Sequence, residues 1–428
     1  MSRPGPLNPS IDPDGLMEFS VVFSDRSLNH MSQRFQGVMR DLSSWLKEVY
    51  SADGVAVVPG GGTCAMEAVA RQYMAPGGRA LILRNGWFSF RWSQIIESGS
   101  LSETPAVVKA RRTVGAGSGS GAADVVADDV GASVVVARDP RATVALAFDP
   151  LPTGAPTSTG SPSHDPQAPF APPPVQEVVE RIRELRPSVV FAPHVETSAG
   201  VILPDDYVAA LAAATHEVGG LFVLDCIASG CVWVDMRALG VDVLITAPQK
   251  GWSAQPCAGV VLFSERALAR LKETCSSSFA LDLARWRGIM EAYEGGGHAY
   301  HATLPTDGLT VFRDTVRETM ELGLDRVAAA QWELGRGVRA LLAERGIASV
   351  AAPGFEAPGV VVAYADRSEV QSGKAFLAEG AQIAAGVPLR CDEGDDFQTF
   401  RLGLFGLDKL TDVPGTLARL EEVLDRVF

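Results

Sequence analysis

The sequence predicts an α/β protein: a large domain on a mostly parallel sheet flanked by helices, followed by a smaller α+β domain at the C-terminal end. Three observations carry this. Strand-like and helix-like stretches alternate between residues 55 and 262, the order that lays successive strands side by side through right-handed crossovers. Two apolar runs, GLFVLD and VDVLIT, are nearly free of polar residues, as strands covered on both faces are. Past residue 262 the alternation stops, and helical patterns give way to the isolated segments GVVVAYA and TFRLGLFG.

Length and charge agree. A chain of 428 residues exceeds one ordinary core, so we expect an arm over 1–18, a large domain over 19–310 and a small domain over 311–428. A net charge of -14 without a long basic run argues against a nucleic-acid partner. The cysteines at 64, 226, 231, 257, 275 and 391 show no CxxC spacing, so no metal site is expected and a reducing cytoplasm suits them. The first residues lack an apolar signal core and no run approaches a membrane span, so a soluble cytoplasmic protein is expected.

Taken in order, residues 1–15 are rich in Pro, Gly and Asp and read as an extended arm. Residues 32–50 space apolar side chains as a helix does, and SADGVAVVPGGGTCAMEAVARQYM gives a turn, a strand, a glycine turn and a helix. RALILRNGWFSFRWSQIIE repeats strand, turn and helix. Residues 113–168 hold two low-complexity stretches around a short β-prone run and read as a surface insertion. Next come a helix opened by prolines (APPPVQEVVERIREL), a strand (SVVFAPHVETSAGVILP) ending in polar residues, and an alanine-rich helix (DDYVAALAAATHEVGG). Beyond residue 262, one helical pattern runs from 310 to about 345, a second covers GKAFLAEGAQIAAG, and an amphipathic helix closes the chain.

The candidate chemistry centres on residues 220–259. One apolar run stops on Asp225 and the next stops just before Lys250, which places both charges at strand ends, where α/β sheets bind ligands. A lysine in a partly dry pocket loses its proton readily enough to form a Schiff base with an aldehyde. Pyridoxal 5'-phosphate (PLP) is such an aldehyde and needs an acid beside its ring nitrogen, which Asp225 would supply. Taken alone, the pair reads equally well as a turn cap and a surface lysine.

Other candidates are weaker singly. Gly60, Gly61 and Gly62 permit a tight turn, and Thr63 opens a helix whose free N–H groups can hold a phosphate, although such turns are common structural devices. Trp87 and Phe88 stand at a strand end, where an aromatic can lie on a pyridine ring; Phe88 is the preferred choice, and both serve equally as core residues. His194, Glu196, Thr197 and Ser198 follow another strand, with ordinary turn chemistry as the plain alternative. Arg401 lies alone between apolar residues. Its fork fits a substrate carboxylate or an internal partner among Asp392, Glu393, Asp395 and Asp396.

With Asp225, Gln249–Lys250, the GGGT turn, HVETSAG and FRLGLFG in this order, the chain resembles the class V aminotransferases of PLP fold type I, in particular the alanine:glyoxylate and serine:pyruvate branch. The resemblance spans nearly the whole chain outside about 113–168. It implies that Lys250 is the Schiff-base lysine, Asp225 the partner of the pyridine nitrogen and Phe88 the stacking aromatic. Gly62, Thr63 and Gln249 would bind the phosphate, and Thr197 would approach the ring. YHAT matches a segment that reaches across a homodimer interface, which gives Tyr300 and Thr303 to the partner's phosphate. Arg401 would hold the substrate carboxylate. Gly61 and Ile227 are assigned to the cofactor and Asn8 to the substrate. Phe88 stands where relatives often have tryptophan, so the neighbouring Trp87 is the alternative stacking residue.

The implied reaction is transamination between a small amino acid such as alanine or serine and a 2-oxo acid such as glyoxylate or pyruvate. A PLP enzyme of elimination, replacement or carbon–carbon bond formation, for example on S-adenosylmethionine, is the alternative. Cysteine desulfuration through Cys391 and a non-enzymatic PLP-binding module are weaker ones.

Overall fold

The computed structural model describes residues 16–24, 27–74, 77–102, 104–113 and 165–428. Its centre is a seven-stranded sheet of β1 (Gly54–Pro59), β2 (Ala80–Arg84), β3 (Ala106–Lys109), β4 (Val189–Pro193), β5 (Leu221–Asp225), β6 (Val243–Thr246) and β7 (Ala258–Phe263), in the order β1-β7-β6-β5-β4-β2-β3. The neighbours from β3 through β6 are parallel, whereas β7 runs antiparallel to both β6 and β1. The reason is the connection. Residues 247–257 are too few for a crossover, which needs a dozen or more including its helix, so the chain turns straight back. Lys250 sits in that tight return.

The strands are apolar along their length because helices cover both faces. These are α1 (Gln33–Tyr50), α2 (Gly62–Tyr73), α3 (Trp87–Gly99), α4 (Val175–Leu185), α5 (Asp205–Glu217), α6 (Glu265–Glu273) and α7 (Leu283–Glu294). Leu42 and Leu46 of α1, Ala65 and Val69 of α2, Ile182 of α4 and Leu211 of α5 share one core with the sheet. Helix α3 is pinned by Trp92, whose ring stacks on Phe191 of β4 at 4.3 Å with both side chains fully buried. Such a pair contributes roughly 0.5–1.5 kcal/mol beyond its buried area, and it fixes the helix that begins at the site.

The single helix expected over about 310–345 is two, α8 (Thr306–Leu322) and α9 (Leu324–Glu344). Gly323 separates them at φ +95°, a conformation outside the helical region that only glycine adopts freely. Leu309, Phe312 and Val316 of α8 pack in the first core. Val327, Leu334 and Val338 of α9 belong to a second one. That core lies under a three-stranded antiparallel sheet, in the order β8-β10-β9, of β8 (Val360–Tyr364), β9 (Ala384–Ala385) and β10 (Thr399–Gly403), and is closed by α10 (Val413–Val427). The helix expected over GKAFLAEGAQIAAG is limited to Lys374–Ala378. Gly380 at φ +80° ends it, and the remainder extends into β9.

The strand expected to run through HVETSAGVILP ends instead at Pro193, and Val195–Glu196 folds back on Val201–Ile202 as a small hairpin. The expected insertion lies largely outside the described residues, as does the arm before residue 16 with Asn8. At the insertion's neck, Arg111–Arg112 pairs antiparallel with Phe170–Ala171, and the Thr113 N–H donates to the Pro169 carbonyl at 2.8 Å. The chain leaves and returns at one point, so the fold closes without it.

Candidate active site

The site lies at the ends of β5 and β6. Ile245 of β6 is in register with Asp225, so the chain running on from β6 into the turn at Lys250 leaves the sheet at the same edge as the acid. The turn is closed by N–H groups of Ser253 on the Lys250 carbonyl at 3.1 Å and of Ala254 on the Pro248 carbonyl at 3.0 Å. Gly251 is pressed against Gly230, where a Cβ would lie 2.1 Å from the carbonyl oxygen, so no larger residue fits beside the lysine.

Asp225 is buried, and its carboxylate accepts the Ile227 N–H at 3.0 Å. Burial, reinforced by the nearby Glu196 carboxylate and opposed by the Ile227 N–H and by Arg91, pushes its pKa up to about 7. Lys250 is half-buried with Nζ 5.2 Å from the centre of the Phe405 ring. Burial, with Arg401 and Arg91 adding like charge, pulls its ammonium below the ordinary lysine value. The two groups are thus tuned in opposite directions, each toward its neutral form.

Helix α2 starts beside them. Gly60 takes φ +119° and donates its N–H to the Cys257 carbonyl at 3.0 Å. Gly61 caps the helix without a side chain, so the first N–H groups are left without a side-chain acceptor. Gly62 rests against Ile227, whose Cδ1 lies 2.5 Å from where a Cβ would be, which brings the helix start against the residue two positions beyond Asp225. Thr63 Oγ1 accepts from Arg91 Nη1 at 3.0 Å.

Helix α3 contributes Phe88. The guanidinium carbons of Arg91 and Arg401 lie 4.8 Å and 5.5 Å from its ring centre. Trp87 faces elsewhere, toward Phe90 at 5.9 Å and Arg390 at 5.4 Å. Arg401, on β10, donates Nε–H to the Ala385 carbonyl at 2.8 Å. Among the described residues no carboxylate comes within ion-pair distance of it, and two of the internal partners considered above, Asp392 and Glu393, are otherwise engaged. Asp392 pairs with Lys109, and Glu393 accepts backbone N–H groups of residues 389–391.

Thr197 is half-buried next to Glu196, while His194 is buried and bonded through Nδ1 to Ser229 Oγ at 2.7 Å. Burial alone lowers the His194 pKa to about 4, so it is a neutral core histidine. Gln249 carries a buried amide oxygen without a partner among the described residues, and an amide that turns about its last bond presents either a donor or an acceptor there. Tyr300 and Thr303 do not join this group. Their hydroxyls meet each other at 3.2 Å and Tyr300 is 55% exposed. Cys391 is buried, and burial, with Glu196 and Glu393 adding to it, raises its thiol pKa, the opposite of the shift that a nucleophilic thiolate needs.

Sequence reasoning missed Arg91 and gave Glu196 no role. Arg91 follows Phe88 by three residues, the spacing that places two side chains on one helix face, so its position was open to detection. Among the described residues no cluster of His, Cys, Asp or Glu could hold a metal, and no helix is long and apolar enough to cross a membrane.

The raised Asp225 pKa makes a prediction for the cofactor-free protein. The folded state holds this proton more tightly than the unfolded state, where the carboxyl has its ordinary value near 3.8. The associated stability is complete below about pH 4 and is lost as pH rises through about 7. Asp225→Asn does not titrate, so its urea midpoint should gain on the parent's between pH 5 and pH 8, by an amount on the order of a few kcal/mol. A difference independent of pH would contradict the buried, neutral acid.

A partly desolvated lysine in the turn after one strand and a buried acid at the end of the neighbouring strand, with a side-chain-free helix start near the acid, fit a PLP-dependent transferase of fold type I. The aminotransferase class-V family model matches residues 173–392, just over half of the 428-residue chain, and the chain belongs to that family, whose cofactor is PLP. It is 29% identical over 176 residues to alanine–glyoxylate aminotransferase of Oryctolagus cuniculus, covering 40% of this chain and 44% of that protein. It is 29% identical over 255 residues to 2-aminoethylphosphonate–pyruvate transaminase 2 of Paraburkholderia xenovorans, covering 57% and 64%. The chain therefore spans less than two thirds of the length of these curated relatives. A solved alanine–glyoxylate aminotransferase of Nostoc sp. has the same fold, with a TM-score of 0.69 at 18% identity over 93% of this chain and 88% of that one.

Proposed function

We propose that the protein is an aminotransferase that moves an amino group between a small alanine- or serine-like amino acid and a 2-oxo acid of the glyoxylate or pyruvate type. The reading is supported by Asp225 and the Lys250 turn at one edge of the large sheet, by Arg401 lying 5.5 Å from the Phe88 ring centre, and by the absence of a carboxylate partner for Arg401 among the described residues. Lys250 would hold the cofactor aldehyde covalently. The uncapped start of α2 at Gly61, Gly62 and Thr63, with the unpartnered Gln249 amide, fits the phosphate; Ile227 and Thr197 would border the ring. When bound, PLP supplies an electron sink for the substrate α-carbon. The protein's part would be to set the Asp225 carboxyl against the ring nitrogen, to hold the substrate with Arg401, and to carry the α-proton on Lys250 Nζ.

Exposed Tyr300 and Thr303, grouped apart from the Lys250 site of their own chain, support a homodimer in which they reach the phosphate of the other copy. Asn8 is assigned to the substrate on sequence grounds alone.

Mixing the PLP-loaded protein with a panel of amino acids tests the reaction. A 2-oxo acid should appear with the pyridoxamine form of the cofactor, and a second 2-oxo acid should restore the starting form. Ammonia or a thioether appearing in place of the 2-oxo acid would identify elimination or replacement. Arg401→Ala should raise KM for both substrates about a hundredfold, the loss of charge-assisted bonds of roughly 1.5–3 kcal/mol, and leave PLP affinity unchanged. An unaltered KM would remove Arg401 from the substrate site.

A further inference from the structure

The Glu196 carboxylate is completely buried, yet among the described residues no cationic side chain pairs with it. Backbone and hydroxyl donors meet its charge instead. Oε1 accepts from the Phe88 N–H at 3.1 Å, the Ser198 N–H at 3.1 Å and the Ser198 hydroxyl at 2.7 Å. Oε2 accepts from the Ser89 N–H at 2.9 Å and the Ser89 hydroxyl at 2.6 Å. Ser198 Oγ accepts in turn from the Trp87 N–H at 2.8 Å. The first three N–H groups of α3 are therefore all taken by the hairpin that follows β4.

A helix start is ordinarily capped by the residue just before it. Here that residue is Gly86, and the carboxylate comes from Glu196, 108 positions beyond Phe88. The contact is close. A Cβ on Gly86 would lie 2.1 Å from Ser198 Oγ and 2.7 Å from Glu196 Cγ. This long-range cap joins two pieces that local capping would leave independent: Phe88, whose ring faces the site, and Thr197, the immediate neighbour of Glu196.

We propose that Glu196 is a positioning residue of the active site, whose carboxylate locks the Phe88 ring and the Thr197 hydroxyl into one rigid frame and thereby sets the plane in which the cofactor ring lies. The proposal rests on the PLP reading above. A buried carboxylate suits the task because it accepts several bonds at once in fixed directions, and its charge strengthens each of them.

Glu196→Gln keeps size and polarity but turns one oxygen into an NH2 group that confronts the Phe88 or Ser89 donors. The measurements are the PLP dissociation constant, the visible circular dichroism per bound cofactor, and the site of borohydride labelling. PLP binding should weaken about tenfold or more, and the dichroism should fall or change sign. The label should remain on Lys250 at saturation. Glu196→Asp, which keeps the charge but is one methylene short, should recover part of the dichroism.

A Glu196→Gln protein with parental affinity and dichroism, whatever its unfolding midpoint, would show a plain helix cap and overturn the proposal. If that variant does not fold, Ser89→Ala and Ser198→Ala each remove one partner of the same carboxylate. Reduced dichroism in either supports the frame, and parental dichroism in both overturns it. A parent protein without a label on Lys250 would be a failure of the PLP reading itself, and the inference would fall with it.

Discussion

Replacing Lys250 with alanine is expected to abolish covalent attachment of the cofactor and to lower the transamination rate on the order of 10⁴-fold, the upper range for a positioned proton carrier. The loss should not come from unfolding. Lys250 is half-buried beside Arg401 and Arg91, and burial already disfavours its charge. Its folded-state pKa lies below the unfolded one, so the ammonium costs stability at every pH below that depressed value. The alanine variant should therefore unfold at pH 7 no more easily than the parent. PLP should still bind it reversibly, through the phosphate end at α2. An active Lys250→Ala protein would show that the proton carrier lies elsewhere.

Replacing Asp225 with alanine should have the second largest effect. In the cofactor-free protein burial, with the Glu196 carboxylate adding to it, pushes the pKa of the acid up to about 7. A protonated ring nitrogen bound against it would supply the missing counter-charge and return the acid to its ionised form. Removing one partner of such a buried pair costs roughly 3 to 5 kcal/mol, which corresponds on the order of 10³-fold in rate. Asp225→Asn should lose nearly as much, because an amide cannot hold the ring proton, whereas Asp225→Glu should recover part. If Asp225→Ala kept the parental rate over pH 6 to 9, the acid would have no part in the chemistry.

The two predictions rest on features that differ in how far they are legible in the sequence. Asp225 and Lys250 stand out because strands buried on both faces admit little polarity, so a single charge at the end of such a run marks the sheet edge. Arg401 stands out for the same reason in a shorter strand. The glycine turn at residues 60–62 is visible as composition, but its necessity comes from Ile227 and Cys64, which the fold brings against it.

Glu196 is the opposite case. Its value lies in donors 107 and 108 positions away, which no local pattern announces. The division of α8 from α9 turns on one backbone angle at Gly323 inside an otherwise continuous helical pattern. The reversal of β7 follows only from counting the residues after β6. Long-range contact and single-residue backbone geometry, rather than chemistry, are what the linear chain conceals.

The point of attachment of the cofactor is decisive. Borohydride reduction of the PLP-loaded protein, followed by proteolysis and mass mapping, should place the pyridoxyl group on the peptide containing Lys250 in a ratio near one per chain. A pyridoxyl group on any other lysine, or a reduced protein that releases all of its cofactor on unfolding, would contradict it.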